Sequence, residues 1–272
     1  KLKGVIVDNN KIFDPKWDFV FKNIFGKDEQ IFIDFINSIF EDKNEKKVKK
    51  IHFENNEIIK NSLYDKESRL DVYAILDDET HVNIEVQIRD EEGFDKRTLY
   101  YWAKLFEGQI EKGDDYLKLQ KSICINIVNF NIIKNDRCHN IYGVANLEDN
   151  ERFLTDFEVH FLELPKLKKV SYNEMSKLEK WLLFLKAPTE KIMEELSMQD
   201  PFIGKAMKTL RYVSQDPETR ALYEAKLKYE LDFNTAIHSK QRQIARKLKE
   251  QKLPLDLISQ ATELPREEIE KL

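Results

Sequence analysis

Cysteine is scarce in this sequence: Cys124 and Cys138 are the only two among 272 residues. Two thiols so spaced build neither a disulfide framework nor a zinc-type ligand set, and a reducing, cytoplasmic setting is expected. The five histidines, His52, His81, His139, His160 and His238, are scattered without ligand spacing, and none is read as a metal ligand. Glycine and proline number only seven each. That argues against a Gly-rich phosphate loop or a turn-dense β-sandwich and favours helices and long strands. No apolar run reaches bilayer length, since Ile31 to Phe40 and Ile123 to Phe130 are too short or interrupted, and the N-terminus shows no signal-peptide core. No membrane association is expected. The chain opens on Lys1 and is expected to lack its initiator end. Positive charge is not in excess either; with a net charge of −5, any contact with nucleic acid must rest on local patches.

What the sequence does hold is aromatic residues, with seventeen Phe and ten Tyr, which argue for packed cores despite a charged share of 35%. Asp14-Pro15 reads as an N-cap and first helical position, opening a helix that ends near Gly26. Asp28 caps a second helix whose Ile31, Phe32, Phe35, Ile36, Ile39 and Phe40 recur at helical spacing, and the charged run Glu41 to Lys50 reads as a solvated loop. Strand-like text follows at Val48 to Ile59, Leu70 to Leu76 and His81 to Ile88, the last two joined by the turn Asp77-Asp78-Glu79-Thr80. Phe94 to Ile110 reads as a helix with Leu99, Trp102, Ala103 and Phe106 inward. Ser122 to Phe130 reads as a strand buried on both faces, and Ile141 to Asn146 and Phe157 to Leu164 as two further strands. The fold class expected is α/β, a mixed sheet flanked by helices, followed by an all-helical extension. Three segments are expected: a core over 1–166, a helical extension over 167–235, and a small helix-turn-helix-like tail over 236–272. In the extension one helix is expected to stop at Phe233, and in the tail a separate basic one to run from Ser239 to Lys252.

The chemically informative stretch is the hairpin. Along its second strand Glu85 and Gln87 share one face, because side chains alternate. An antiparallel partner runs back past its origin and would bring Asp71 opposite Glu85. Two facing carboxylates repel, and one takes up a proton unless a hard divalent cation bridges them. Mg²⁺, with Mn²⁺ as its substitute, would be held by Asp71, Glu85 and the backbone carbonyl of Val86. A blander reading stays open on these residues alone: two carboxylates on a half-solvated strand face.

In order and spacing, Trp17-Asp18-Phe-Val-Phe21-Lys22-Asn-Ile-Phe-Gly26, Ser68-Arg-Leu-Asp71, Ile84-Glu-Val-Gln87, the Arg97 to Tyr101 segment and Glu163-Leu-Pro-Lys166 resemble the Rpn family of recombination-promoting nucleases and putative transposases, within the PD-(D/E)xK phosphodiesterase superfamily. The resemblance is close over about residues 13 to 166 and touches the tail at Ile244-Ala-Arg-Lys-Leu. It implies a restriction-endonuclease-like core and a metal-dependent DNA endonuclease linked to recombination or mobile elements, with Asp71, Glu85, Gln87 and Arg97 as catalytic residues. At Gln87 the sequence departs from the superfamily, which mostly has Lys there, although Gln is usual in the narrower family. Arg97, ranked above Lys104, would restore positive charge near the phosphate.

Asp18 and Lys22 are either a helix ion pair or neighbours of the site. Glu57 is either a surface residue or an additional carboxylate, and Tyr101 is expected to line the cleft or pack in the core beside Tyr100. In the tail, Lys240, Arg242, Arg246, Lys247 and Lys249 form the one distinctly basic segment, a solvated helix face or a phosphate contact. Cleavage of both strands of a duplex by a one-site chain leads to the expectation of a homodimer. The rival class is a catalytically weak or silent nuclease-fold module that binds DNA or protein. Strand joining finds no second carboxylate constellation to support it.

Overall fold

The structure, a computed structural model, describes residues 12–41, 47–54, 71–168, 172–187 and 189–272. Glu57, Ser68 and Arg69 lie outside the described residues. By packing, the chain forms two compact units, residues 1–214 and 215–272. The boundaries expected at 166 and 235 do not coincide with this division.

The first unit opens with two helices, α1 (Asp18–Phe25) and α2 (Glu29–Phe40). The expected start of α1 at Asp14-Pro15 is corrected. Asp14 closes a turn instead, its carbonyl accepting from Trp17 N at 3.2 Å and its carboxylate from Lys16 N at 3.0 Å. Asp28 caps α2 by accepting from Gln30 N and Ile31 N, a contact of about 1 kcal/mol in such settings. The apolar faces of both helices are fully buried, and Phe25, Phe35 and Trp181 meet there as one aromatic cluster.

Six strands form the sheet among the described residues: β1 (Ile51–Phe53), β2 (Val72–Leu76), β3 (His81–Gln87), β4 (Ser122–Val128), β5 (His139–Ala145) and β6 (Arg152–Glu163), in spatial order β1-β2-β3-β4-β6-β5. β2 and β3 are the expected antiparallel hairpin, and the turn places Glu79 at φ +65°. After β3 the chain crosses through α3 (Phe94–Glu107) to β4, which lies parallel to both β3 and β6 and is buried along its whole length. This is what a strand covered on both faces requires of its sequence, and SICINIV supplies it.

The face of α3 turned inward differs from the one expected. Leu99 is 55% exposed and Ala103 is exposed, whereas Phe94, Thr98 and Leu105 are buried, with Trp102 and Phe106 half-buried. The physical cause is Thr98, whose hydroxyl donates to Asn126 Oδ1 of β4 at 3.1 Å and so sets the helix rotation with a polar contact. α3 covers the sheet face carrying Val159 and Phe161. The opposite face carries His160, whose ring meets Phe40 of α2.

Beyond β6 the helices α4 (Lys177–Lys186), α5 (Glu190–Gln199) and α6 (Pro201–Gln215) follow. α4 starts with a capping box between Ser176 and Glu179 and packs on α2, where Trp181 donates to Asp34 at 2.9 Å. The Glu163-Leu-Pro-Lys166 motif is a structural staple. Buried Glu163 accepts from Ile132 N, Ile133 N, Asn140 Nδ2 and Lys166 Nζ, and Lys166 also donates to the Ile133 carbonyl, so the loop between β4 and β5 is pinned from both sides.

In the second unit α7 runs unbroken over Pro217–Glu250, followed by α8 (Leu255–Thr262) and α9 (Arg266–Glu270). The break expected between Phe233 and Ser239 is absent, because no Gly or Pro interrupts that text. Ala245, Ile258, Leu264 and Ile269 form the small core of this unit.

Candidate active site

The hairpin register pairs Val72 with Ile84, so the next step outward sets Asp71 opposite Glu85. They meet directly: Asp71 N donates to Glu85 Oε1 at 3.3 Å. Asp71 is buried, and its Oδ2 accepts from Val86 N at 2.8 Å. Burial is the first cause pushing both carboxyls above the usual carboxylate range. For Glu85 the charge of Asp71 comes next, and together they push it up to about 8. An apolar wall and a like charge therefore make the doubly ionised pair unfavourable by itself.

Around the pair stand two cations. Lys22 of α1 places Nζ 3.3 Å from Asp71 Oδ1. Arg97, one turn into α3, acts on Glu85 through its charge. It donates to Gln87 Oε1 at 2.6 Å and to Glu91 Oε2 at 3.0 Å, and its guanidinium lies 5.1 Å over the Phe94 ring. The left-handed Gly93 (φ +81°) lets the chain turn sharply into α3 and bring Arg97 back beside β3. Asp18 is close enough for its charge to raise Asp71 further. Tyr101 feels Glu85, after burial, as a cause of its own upward shift, and its neighbour Tyr100 is 40% exposed.

Lys104 pairs with Glu107 on its own helix at 3.7 Å. In the second unit Lys249 donates to the carbonyls of Ile269 and Glu270 and Arg242 pairs with Glu268, while Lys240, Arg246 and Lys247 are exposed.

Sequence reading assigns no role to Asn83 or Glu91, and both join the site. Asn83 is fully buried and donates to Glu85 Oε1 at 3.3 Å, while its own Oδ1 has no hydrogen-bond partner. Strand alternation gave the signal for Asn83, since it shares a face with Glu85 and Gln87. Nothing in the spacing marked Glu91 out from the acidic residues beside it.

The donor set suits a hard divalent cation. Two carboxylates converge, and a third oxygen is at hand on the backbone. The Val86 N–H faces Asp71, whereas the Gln87 carbonyl accepts from Asn129 N at 3.0 Å on the β4 side. A strand residue directs its N–H and C=O to the same edge, so the Val86 carbonyl opens on the Asp71 edge, beyond the end of β2. Among the described residues no three His, Cys, Asp or Glu side chains gather as a metal cage. A two-carboxylate oxygen site that leaves positions to water is the kind Mg²⁺ accepts.

Neither a curated protein nor a solved structure matches the chain. A family described as PD-(D/E)XK nuclease family transposase matches residues 15–240, a span that takes in the sheet, both carboxylates, Gln87 and Arg97. With most of its length matched, including the hairpin on which the acidic pair sits, the chain belongs to the PD-(D/E)XK nuclease family of transposases.

Proposed function

We propose that this protein is a divalent-metal-dependent DNA endonuclease, acting in recombination or mobile-element processing, with its centre at Asp71 and Glu85. The observation that carries the reading is the juxtaposition of Asp71 and Glu85, the backbone N–H of the first donating to Oε1 of the second at 3.3 Å, with each carboxyl pushed toward proton uptake by burial. Asp71, Glu85 and the Val86 carbonyl would hold Mg²⁺ or Mn²⁺, which when bound polarises a phosphodiester and lowers the pKa of water. The chain's own contribution is to fix these oxygens by packing, through Val86 N on Asp71 and Asn83 on Glu85. Arg97 would meet the negative charge that builds on the phosphate, and Lys22 balances Asp71. The exposed Lys240, Arg246 and Lys247 of α7 add backbone contacts to DNA, and duplex cleavage is completed by two copies.

The deciding experiment is nicking of supercoiled plasmid in Mn²⁺, Mg²⁺ and EDTA by the full chain and by Asp71→Ala and Glu85→Ala, together with location of bound Mn²⁺. Metal-dependent nicking lost in both variants is the expected result. Nicking that survives both removes the assignment. The rival reading, a DNA-binding module without catalysis, draws support from Lys22, which offsets part of the pair's charge with no metal. DNA retention without cleavage in any divalent ion would favour it.

A further inference from the structure

The third motif position carries glutamine where the name of the family carries lysine, and the surroundings of Gln87 give a reason. Arg97 is held by three partners: Gln87 Oε1 at 2.6 Å, Glu91 Oε2 at 3.0 Å and the Phe94 ring face at 5.1 Å. A guanidinium can only donate, so whatever stands at 87 must accept. Gln87 does so, and its other end donates to the Arg89 carbonyl at 3.0 Å. These two partners leave only one way round for the amide: carbonyl to Arg97, amino group to Arg89. Each polar end of Gln87 is thus engaged by a protein group. Arg97 remains one-third exposed, with donors left over for a phosphate, and its charge reaches Glu85.

We propose that Gln87 is a positioning residue that holds Arg97 beside Glu85, so that Arg97 supplies the charge that the family's lysine would bring to the third motif position, and a lysine at 87 would displace it. An ammonium has no acceptor for the guanidinium and would set like charge against it. The inference rests on the nuclease reading of the site, and it makes a counterintuitive statement: restoring the lysine of the family name weakens the protein.

The test uses the full chain and its variants Gln87→Lys, Gln87→Met, Arg97→Gln, Gln87→Met/Arg97→Gln and the exchange Gln87→Lys/Arg97→Gln, each checked for folding by circular dichroism. Two readouts are taken: single-turnover plasmid cleavage in Mn²⁺, and anisotropy of a labelled duplex in Ca²⁺ without turnover. Gln87→Lys and Gln87→Met are expected to weaken DNA binding and to slow cleavage by about tenfold or more, as Arg97→Gln does. Gln87→Met should add nothing to Arg97→Gln, and the exchange variant should recover above Arg97→Gln. Tighter binding or faster cleavage by Gln87→Lys overturns the inference, as do additive losses for Gln87→Met and Arg97→Gln. Should Gln87→Lys fail to fold, the Gln87→Met cycle decides alone. A wild-type chain that binds DNA but never cleaves it overturns the nuclease reading, and the binding cycle then judges the Gln87–Arg97 pair by itself. Failure of the wild type to bind or cleave overturns both.

Discussion

Asp71 and Glu85 face each other across the open end of a hairpin, the backbone of one donating to the carboxylate of the other. Their burial makes them uncomfortable anions, so the proposed ligand role and the stability of the fold separate in a measurable way.

Glu85→Gln keeps the acceptor for Asp71 N and Asn83 but removes the charge. Cleavage is expected to fall about a thousandfold or more, while the metal-free protein gains on the order of 1 kcal/mol near pH 8. Urea unfolding beside a nicking assay checks both. A variant that is inactive and also less stable would point to a packing role.

The pH dependence has a definite sign. Both carboxyls have folded-state values above their ordinary ones, so the folded chain binds more protons than the unfolded one. Their contribution to stability is complete below the ordinary value and is lost as pH rises, for Glu85 across the window from 4.5 to about 8. On the proposed reading, a divalent ion held by the pair would displace those protons. Its stabilising effect, read as a rise in Tm with Mn²⁺, is expected to grow with pH through this window and to level off above it. A rise equal at about pH 6 and about pH 8 would contradict the shared site.

Lys166→Met strands the Glu163 carboxylate in the interior without its cation. Removing one partner of a buried pair costs about 3 kcal/mol in such settings, so a lower urea midpoint is expected, with faster proteolysis in the loop between β4 and β5. Activity per folded molecule should hold. Loss of activity in a fully folded variant would give this motif a chemical role.

In α7, Arg246→Ala and Lys247→Ala are each expected to lower the salt slope of DNA binding by about one, as loss of one phosphate contact does. Lys249→Ala should instead destabilise the small helical unit by about 0.5 to 1 kcal/mol, since its ammonium caps the last carbonyls of α9. An unchanged slope in the first two variants would remove this surface from the DNA path.

The hairpin and its carboxylate pair were legible in the sequence because both follow from local rules: strand alternation fixes the face, and antiparallel return fixes the partner. The α/β class was legible for the same reason, as SICINIV could be little else than a central strand. Elements set by distant contacts escaped. The rotation of α3 hangs on Thr98 meeting Asn126, which hydrophobicity ranks below Leu99. The start of α1 was lost to a side-chain turn at Asp14 that competes with capping. Lys22 stood in a helix-pair spacing, and only the fold shows that Asp71 is within its reach.

The left-handed Gly93 turns the chain from β3 straight into α3, so acid, amide and arginine follow one another along a single short passage. Glu85, Gln87 and Arg97, three of the proposed reacting groups, thus form a cassette close together in sequence, carried on a scaffold assembled from remote parts. Cutting the backbone between Gln87 and Phe94 and rejoining the ends elsewhere would leave the sheet's strand order as it is while cutting the tether that holds Arg97 to the acids.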